Sequence, residues 1–115
     1  MEVAELENLG VELCKSLLNQ GYAYIAQRFG YAITFTKAPA AAIKEDFEHS
    51  VMEAGGTLES SAFNVTIKAF PNVSPGFINL IECRFFFANS KKEVLAEIIE
   101  SEAGFYLLEQ ISCVA

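Results

Sequence analysis

The segment Gly76–Ala88, GFINLIECRFFFA, is the longest predominantly apolar run in the chain, and it constrains the fold more than any other segment. Turn-forming residues bound it, with Pro75 before and Asn89-Ser90 after. Taken with a period of two, apolar side chains fall on both of its faces. Such a strand is typical of the interior of a sheet whose two sides are both covered. The run therefore predicts a central strand.

Two charged residues interrupt one face of this predicted strand. One face carries Phe77, Asn79, Ile81, Cys83, Phe85 and Phe87, and the other carries Ile78, Leu80, Glu82, Arg84, Phe86 and Ala88. Glu82 and Arg84 therefore leave the same face, among apolar residues, where an unpaired charge is costly. Two interpretations stay open: a structural salt bridge, or an Arg84 that grips a carboxylate or phosphate while Glu82 holds it in place.

The composition limits the class of protein. A chain of 115 residues with 52% hydrophobic residues predicts one folded domain, residues 1–115. A formal charge of −7 argues against nucleic-acid binding, which needs clustered lysine and arginine. No apolar run reaches the ~18 residues that span a bilayer.

The cysteines and the first residues bear on the compartment. Three widely spaced cysteines and one histidine predict neither a disulfide framework nor a zinc site. The beginning of the chain is acidic where an export signal would be basic. A reduced, cytoplasmic protein without a metal or cofactor is expected.

The order of predicted elements begins with one helix and ends with a strand. Residues 1–29 predict an N-terminal helix with a wide apolar face, which Asn19-Gln20-Gly21 interrupts or kinks. The further predictions are a strand over 31–37, a helix from Pro39, a half-buried edge strand over 57–70, the central strand, a helix opened by the capping box Ser90-Lys91-Lys92-Glu93, and a last strand over 105–114.

The order β-α-β-β-α-β over residues 31–115 predicts a fold class. It is α+β, a ferredoxin-like βαββαβ antiparallel sheet with the additional N-terminal helix. Both helices of that unit would cover one face of the sheet. The other face would expose an apolar patch formed by Ile78, Leu80, Phe86, Leu108 and Val114. Either the N-terminal helix or a second copy of the chain should cover this patch, and the wide apolar face of the helix favours the helix.

Candidate catalytic groups are few. His49 lies on a predicted helix four residues after Glu45, and a solvated histidine is the favoured interpretation. Cys83 and Cys113 have no predicted base beside them, so buried structural thiols are expected. Tyr22 and Tyr31 lie at the junction of helix and strand, where they pack in the core or line a pocket.

Three hypotheses about function follow. The preferred one is a small cytosolic, non-enzymatic binding module that acts as a homodimer and uses the sheet face carrying Ile78, Leu80, Glu82, Arg84 and Phe86. A second is a small-molecule sensor or carrier, with a pocket between the N-terminal helix and the sheet around Tyr22, Tyr31, Arg84 and Phe86. A third is an acidic inhibitor that blocks a basic surface on a protein partner through Glu45, Asp46, Glu48, Glu93, Glu97 and Glu100.

Overall fold

Helices precede strands along the chain. The computed structural model describes residues 3–34, 36–57, 61–69, 77–88 and 90–115. Within them lie helices α1 (Val3–Leu18), α2 (Tyr22–Phe29) and α3 (Pro39–Glu53), followed by strands β1 (Ser61–Ala69), β2 (Phe77–Phe87), β3 (Glu93–Ser101) and β4 (Tyr106–Val114). The predicted α+β class is confirmed. None of these helices is both long and apolar enough to cross a bilayer.

The four strands form one antiparallel meander. Their spatial order, β1-β2-β3-β4, is the order of the chain. β2 lies between two neighbours and β1 at an edge, as the sequence predicts. The predicted loop over 71–76 lies outside the described residues. A ferredoxin-like sheet needs a strand before α3 and a helix before the last strand. Neither is found at the predicted position among the residues that the structure describes, so the ferredoxin-like topology is not confirmed.

The N-terminal helix is two helices. α1 ends because Gln20 adopts a positive φ of 59°. The N–H of Gly21 then donates to the C=O of Ser16 at 2.8 Å, and that of Gln20 donates to the C=O of Leu17 at 3.1 Å. These two bonds form a Schellman motif, which satisfies carbonyls that the helix end leaves free. The interruption predicted at residues 19–21 is confirmed, and the chain turns there into α2.

The strand predicted over residues 31–37 is wrong. Residues 31–34 have no regular structure, and the Ala32 N–H donates to the C=O of Leu108 beside the edge strand β4. The Tyr31 hydroxyl donates to the Asp46 carboxylate at 2.6 Å, so α3 holds this segment. Alternation over seven residues is weak evidence for a strand when tertiary contacts compete with it.

The helix predicted after Ser90 is also wrong, because β3 occupies that segment. The Ser90 hydroxyl accepts the N–H of Lys92 at 3.1 Å and donates to the C=O of Ala54 at 2.5 Å. A serine makes such local bonds in turns as well as at helix starts. The apolar residues that follow fit a helix or a strand buried on both faces, and pairing with β2 and β4 decides for the strand.

All three helices belong to the same side of the sheet. α1 packs on β1 and β2, α3 packs on β4 and β3, and α2 packs against α3 and α1. The Phe47 ring of α3 lies 5.3 Å from that of Phe85, edge to face. The Cys83 thiol donates to the C=O of Gly10 at 3.6 Å. The core therefore lies between the helices and the sheet face that carries Ile81, Cys83 and Phe85, which are fully buried.

Candidate functional site: the open face of the sheet

The sheet face turned away from the helices is called the open face. Strand register places its side chains in cross-strand rows. The rows are Asn64, Arg84, Leu95 and Ser112; Thr66, Glu82, Glu97 and Gln110; and Lys68, Leu80, Ile99 and Leu107, with Phe86 and Ala62 beyond the first row and Ile78 beyond the last. The middle row carries two glutamates and is called the charged row, and the apolar side chains Leu80, Ile99 and Leu107 lie together in the last row, next to Ile78.

Five of the seven predicted binding residues share this face. Ile78, Leu80, Glu82, Arg84 and Phe86 alternate along β2, so the structure brings them together as predicted. Ile78 is 39% exposed, and Leu80 and Phe86 are partly buried. The helices lie behind the sheet, so the predicted cover of this face by the N-terminal helix is wrong.

Tyr22 and Tyr31 lie on the helix side of the sheet. The Tyr22 hydroxyl donates to Glu48 at 3.4 Å, and the Tyr31 hydroxyl donates to Asp46. Burial, followed by the nearby Glu48 carboxylate, raises the pKa of Tyr22 to about 12. The structure therefore does not bring these two tyrosines together with Arg84 and Phe86 in one pocket.

A bulge in the sheet exchanges two leucines. The register of β3 and β4 shifts between Glu97 and Ile98. Leu108, predicted on the exposed face, consequently pairs with Ile98 and is fully buried on the helix side. Leu107 pairs with Ile99 on the open face instead, where it is 37% exposed. Sequence alternation alone could not locate this shift.

Glu82 and Arg84 belong to a chain of ion pairs. Lys68 Nζ lies 3.0 Å from Glu82 Oε1, and Arg84 Nη2 lies 3.6 Å from Glu82 Oε2. Arg84 Nη1 also lies 3.2 Å from Glu93 Oε2. Glu82 is only 6% exposed, and the two cations Lys68 and Arg84 compensate its buried charge. These contacts favour the structural interpretation of the pair, while the Arg84 side chain remains 30% exposed.

Glu97 is the open-face residue that the sequence did not single out within this surface. It lies directly opposite Glu82 across β2 and β3, and it makes no ion pair or side-chain hydrogen bond with any other described residue. Burial raises its pKa, and the neighbouring Glu109 and Glu82 carboxylates raise it further, while the charges of Arg84 and Lys68 lower it by a smaller amount. Its position became visible only when its segment proved to be a strand, because a helix would have separated it from Glu82.

The acidic residues of the inhibitor hypothesis do not form one surface. Glu45, Asp46 and Glu48 lie on α3, behind the sheet. Glu93 and Glu97 lie on the open face. Glu100 is 4% exposed and accepts hydrogen bonds from Asn79 Nδ2 at 2.7 Å and from the Tyr106 hydroxyl at 2.9 Å.

Groups suited to catalysis lie apart from the open face. His49 Nδ1 contacts Glu53 Oε1 at 3.0 Å, rather than the predicted Glu45, and its side chain is 66% exposed. A hydrogen bond with the Cys14 thiol, together with burial, raises the pKa of Cys83 and so favours the neutral thiol. Among the described residues, no three His, Cys, Asp or Glu side chains are grouped to hold a metal ion.

Neither a protein-family model, nor a curated protein, nor a solved structure matches this chain. The functional argument therefore rests on the residues of the open face.

Proposed function

We propose that this protein is a small cytosolic, non-enzymatic interaction module that works as a homodimer and binds a protein partner through the open face. The observation that carries the proposal is the accessibility of apolar side chains there, on the side away from all three helices. Ile78 and Leu107 are each more than one-third exposed, beside the partly buried Leu80. Apolar groups collected on one face are typical of interaction surfaces.

The charges of the open face favour a partner with a cationic side chain. Lys68 and Arg84 are both engaged by Glu82, and Arg84 also by Glu93. Glu97, beside Glu82 at the centre of the face, makes no ion pair with another described residue, and Arg84 and Lys68 offset only part of the effect of its burial and of the neighbouring carboxylates. A lysine or arginine of the partner would compensate it, and apolar partner groups would cover Ile78 and Leu107.

The free thiols and the position of the histidine also support this proposal. Cys14 and Cys83 are buried free thiols, and Cys113 is a partly buried one, as a reducing compartment would maintain them. The exposed His49 is engaged by Glu53 on α3, which packs on the opposite side of the sheet from the charged row.

The test compares a double variant with a control on the opposite side of the molecule. Ile78→Ser/Leu107→Ser removes two large, exposed apolar side chains of the open face, whereas Met52→Ser removes a 76%-exposed methionine of α3. Immobilised wild-type protein and both variants are incubated with an extract of the native source. A retained protein is then purified and titrated against each form.

We expect the double variant to weaken binding of the purified partner at least about ten-fold, since about 1–3 kcal/mol accompanies each buried apolar group. Met52→Ser should bind as the wild type does. Glu97→Gln should weaken binding less and reduce its dependence on salt. If every protein that the wild type retains is also retained by the double variant, the open face is not the binding surface.

A further inference from the structure

The two edges of the sheet differ. On the β4 side, the segment at Ala32 donates a hydrogen bond to Leu108. On the other side, β1 pairs only with β2 within the described residues. β1 has nine residues, about 30 Å of strand, and Lys68 is its only charged residue. Long edge strands with few charges are the ones that pair with another chain.

The layer above β1 is also incompletely covered. Phe63, Val65 and Ile67 are only partly buried, although they lie on the helix side and pack against the core. On α1, a stripe of leucines is buried, whereas Val11 and Leu18, on the opposite flank of the helix, are partly exposed. That flank lies towards the β1 edge, because α1 packs on β1 and β2 and the other two helices lie on its β3–β4 side.

We propose that two copies of the chain pair through β1, antiparallel about a two-fold axis at Val65, to form one continuous eight-stranded sheet. This register places Phe63 opposite Ile67 of the second copy and Asn64 opposite its Thr66. It also places Lys68 opposite Ala62 of the second copy, so no like charges meet. Odd-numbered residues pair with odd-numbered ones and even with even, so the helices of both copies lie on the same side of the joined sheet.

The helix layer fits this arrangement. α1 contacts both β1 and β2, so its axis lies about half a strand spacing inside β1. Across the two-fold axis the two α1 axes would then be about 10 Å apart, which is the separation of packed helices. Val11 and Leu18 of the two copies would face each other there.

The dimer deepens the proposed function and rests on it, because it joins two open faces into one binding surface of twice the width. A partner with two similar segments, or two partner molecules, would be bound side by side. Pairing of strands gives the two-fold symmetry that most homodimers have.

The test uses two substitutions at a single residue. In one copy, Ala62 and Lys68 are six residues apart on a strand, about 20 Å, so they do not interact. Between copies they are opposite each other. The dimer Kd of the full chain is measured by sedimentation equilibrium for the wild type, Ala62→Lys and Ala62→Glu, each with and without Lys68→Ala. Circular dichroism verifies that each variant folds.

We expect Ala62→Lys to raise the dimer Kd by about ten-fold, because two Lys–Lys contacts form, and Ala62→Glu to leave it unchanged or lower it. Lys68→Ala should remove the difference between them. A monomeric wild type, or a dimer whose Kd is the same for Ala62→Lys and Ala62→Glu, overturns the β1 pairing.

Failure of this pairing can be told apart from failure of the open-face proposal. Ile78→Ser/Leu107→Ser should leave the dimer Kd unchanged while it loses the protein partner. If the β1 substitutions show no pairing but the double variant still binds the protein partner more weakly than the wild type, only the β1 dimer is refuted. If the β1 substitutions change the dimer Kd as expected but the double variant binds the partner as the wild type does, only the open face is refuted as the binding surface.

Discussion

Glu82 and Glu97 lie opposite each other on β2 and β3, but their surroundings differ. Lys68 and Arg84 contact Glu82 directly. Glu97 feels their charges only at longer range, and its burial and two neighbouring carboxylates outweigh them. Like charges directly opposite each other destabilise a strand pair. The free protein therefore bears a local cost at Glu97 that a cationic partner group would relieve.

This cost predicts the behaviour of Glu97→Gln in the free protein. The pKa of Glu97 is raised by folding, so the folded state favours its protonated form. Its contribution to stability is present below its unfolded pKa of about 4.3 and is lost as the pH rises through the folded pKa. Glu97→Gln should therefore raise the free energy of unfolding at pH 7 by about 0.5 kcal/mol, with no gain near pH 3. Urea unfolding at both pH values measures it.

The matched control is Glu102→Gln, at an exposed position in the turn between β3 and β4. It should change the free energy of unfolding by less than Glu97→Gln at neutral pH. A Glu97→Gln protein that is less stable at pH 7 would show that the carboxylate has a favourable partner.

At the level of elements, the contact of α1 with the sheet depends on Gly10. A Cβ there would overlap Val65 Cγ1 of β1 and lie 3.0 Å from Ile81 Cγ2 of β2. The glycine weakens the helix by about 1 kcal/mol relative to alanine. It permits the close approach by which the Cys83 thiol reaches the Gly10 carbonyl.

Gly10→Ala should accordingly lower the free energy of unfolding, by about 1–2 kcal/mol net, because overpacking outweighs the gain in helix propensity. Val65→Ala removes the overlapping methyl groups. Gly10→Ala should therefore lower the free energy of unfolding less in a Val65→Ala protein than in the wild type. Chemical unfolding of the four forms measures this coupling. A more stable Gly10→Ala protein would mean that α1 does not approach the sheet so closely.

At the level of the whole molecule, tyrosine–carboxylate bonds join distant parts of the chain. Tyr22 of α2 and Tyr31 both donate to carboxylates of α3, and Tyr24 donates to Glu12 of α1 at 3.2 Å. Burial is the first cause of the raised pKa of Tyr22 and of Tyr31. The helix layer is therefore held together partly by protonated phenols.

These phenols predict alkaline instability. The raised pKa of Tyr22, about 12, means that its contribution is complete below the unfolded pKa of about 10 and is lost as the pH rises to about 12. Tyr22→Phe should reduce the fall in stability between pH 9 and pH 11.5 by about 1 kcal/mol, allowing for solvent screening. Thermal unfolding across that range tests it. Tyr24→Phe, on the same helix but 49% exposed, is the control and should alter the fall less.

Local patterns in the sequence determined several elements correctly. The apolar run of β2 predicted an interior strand, and the alternation of β1 predicted an edge strand. Pro39 marked the start of α3, and residues 19–21 marked the end of α1. Each of these signals is local: a period, a proline ring or a left-handed turn acts within a few residues.

Tertiary structure alone decided which surfaces meet. The segment after Ser90 fits two periodicities, and only its neighbours β2 and β4 make it a strand. That outcome placed Glu97 opposite Glu82. The bulge in β4 placed Leu107, rather than the predicted Leu108, on the open face. Two apolar stripes likewise cannot say which side of a sheet a helix covers. Packing between elements distant in sequence selects among patterns that are locally equivalent, and it determined where the candidate site lies.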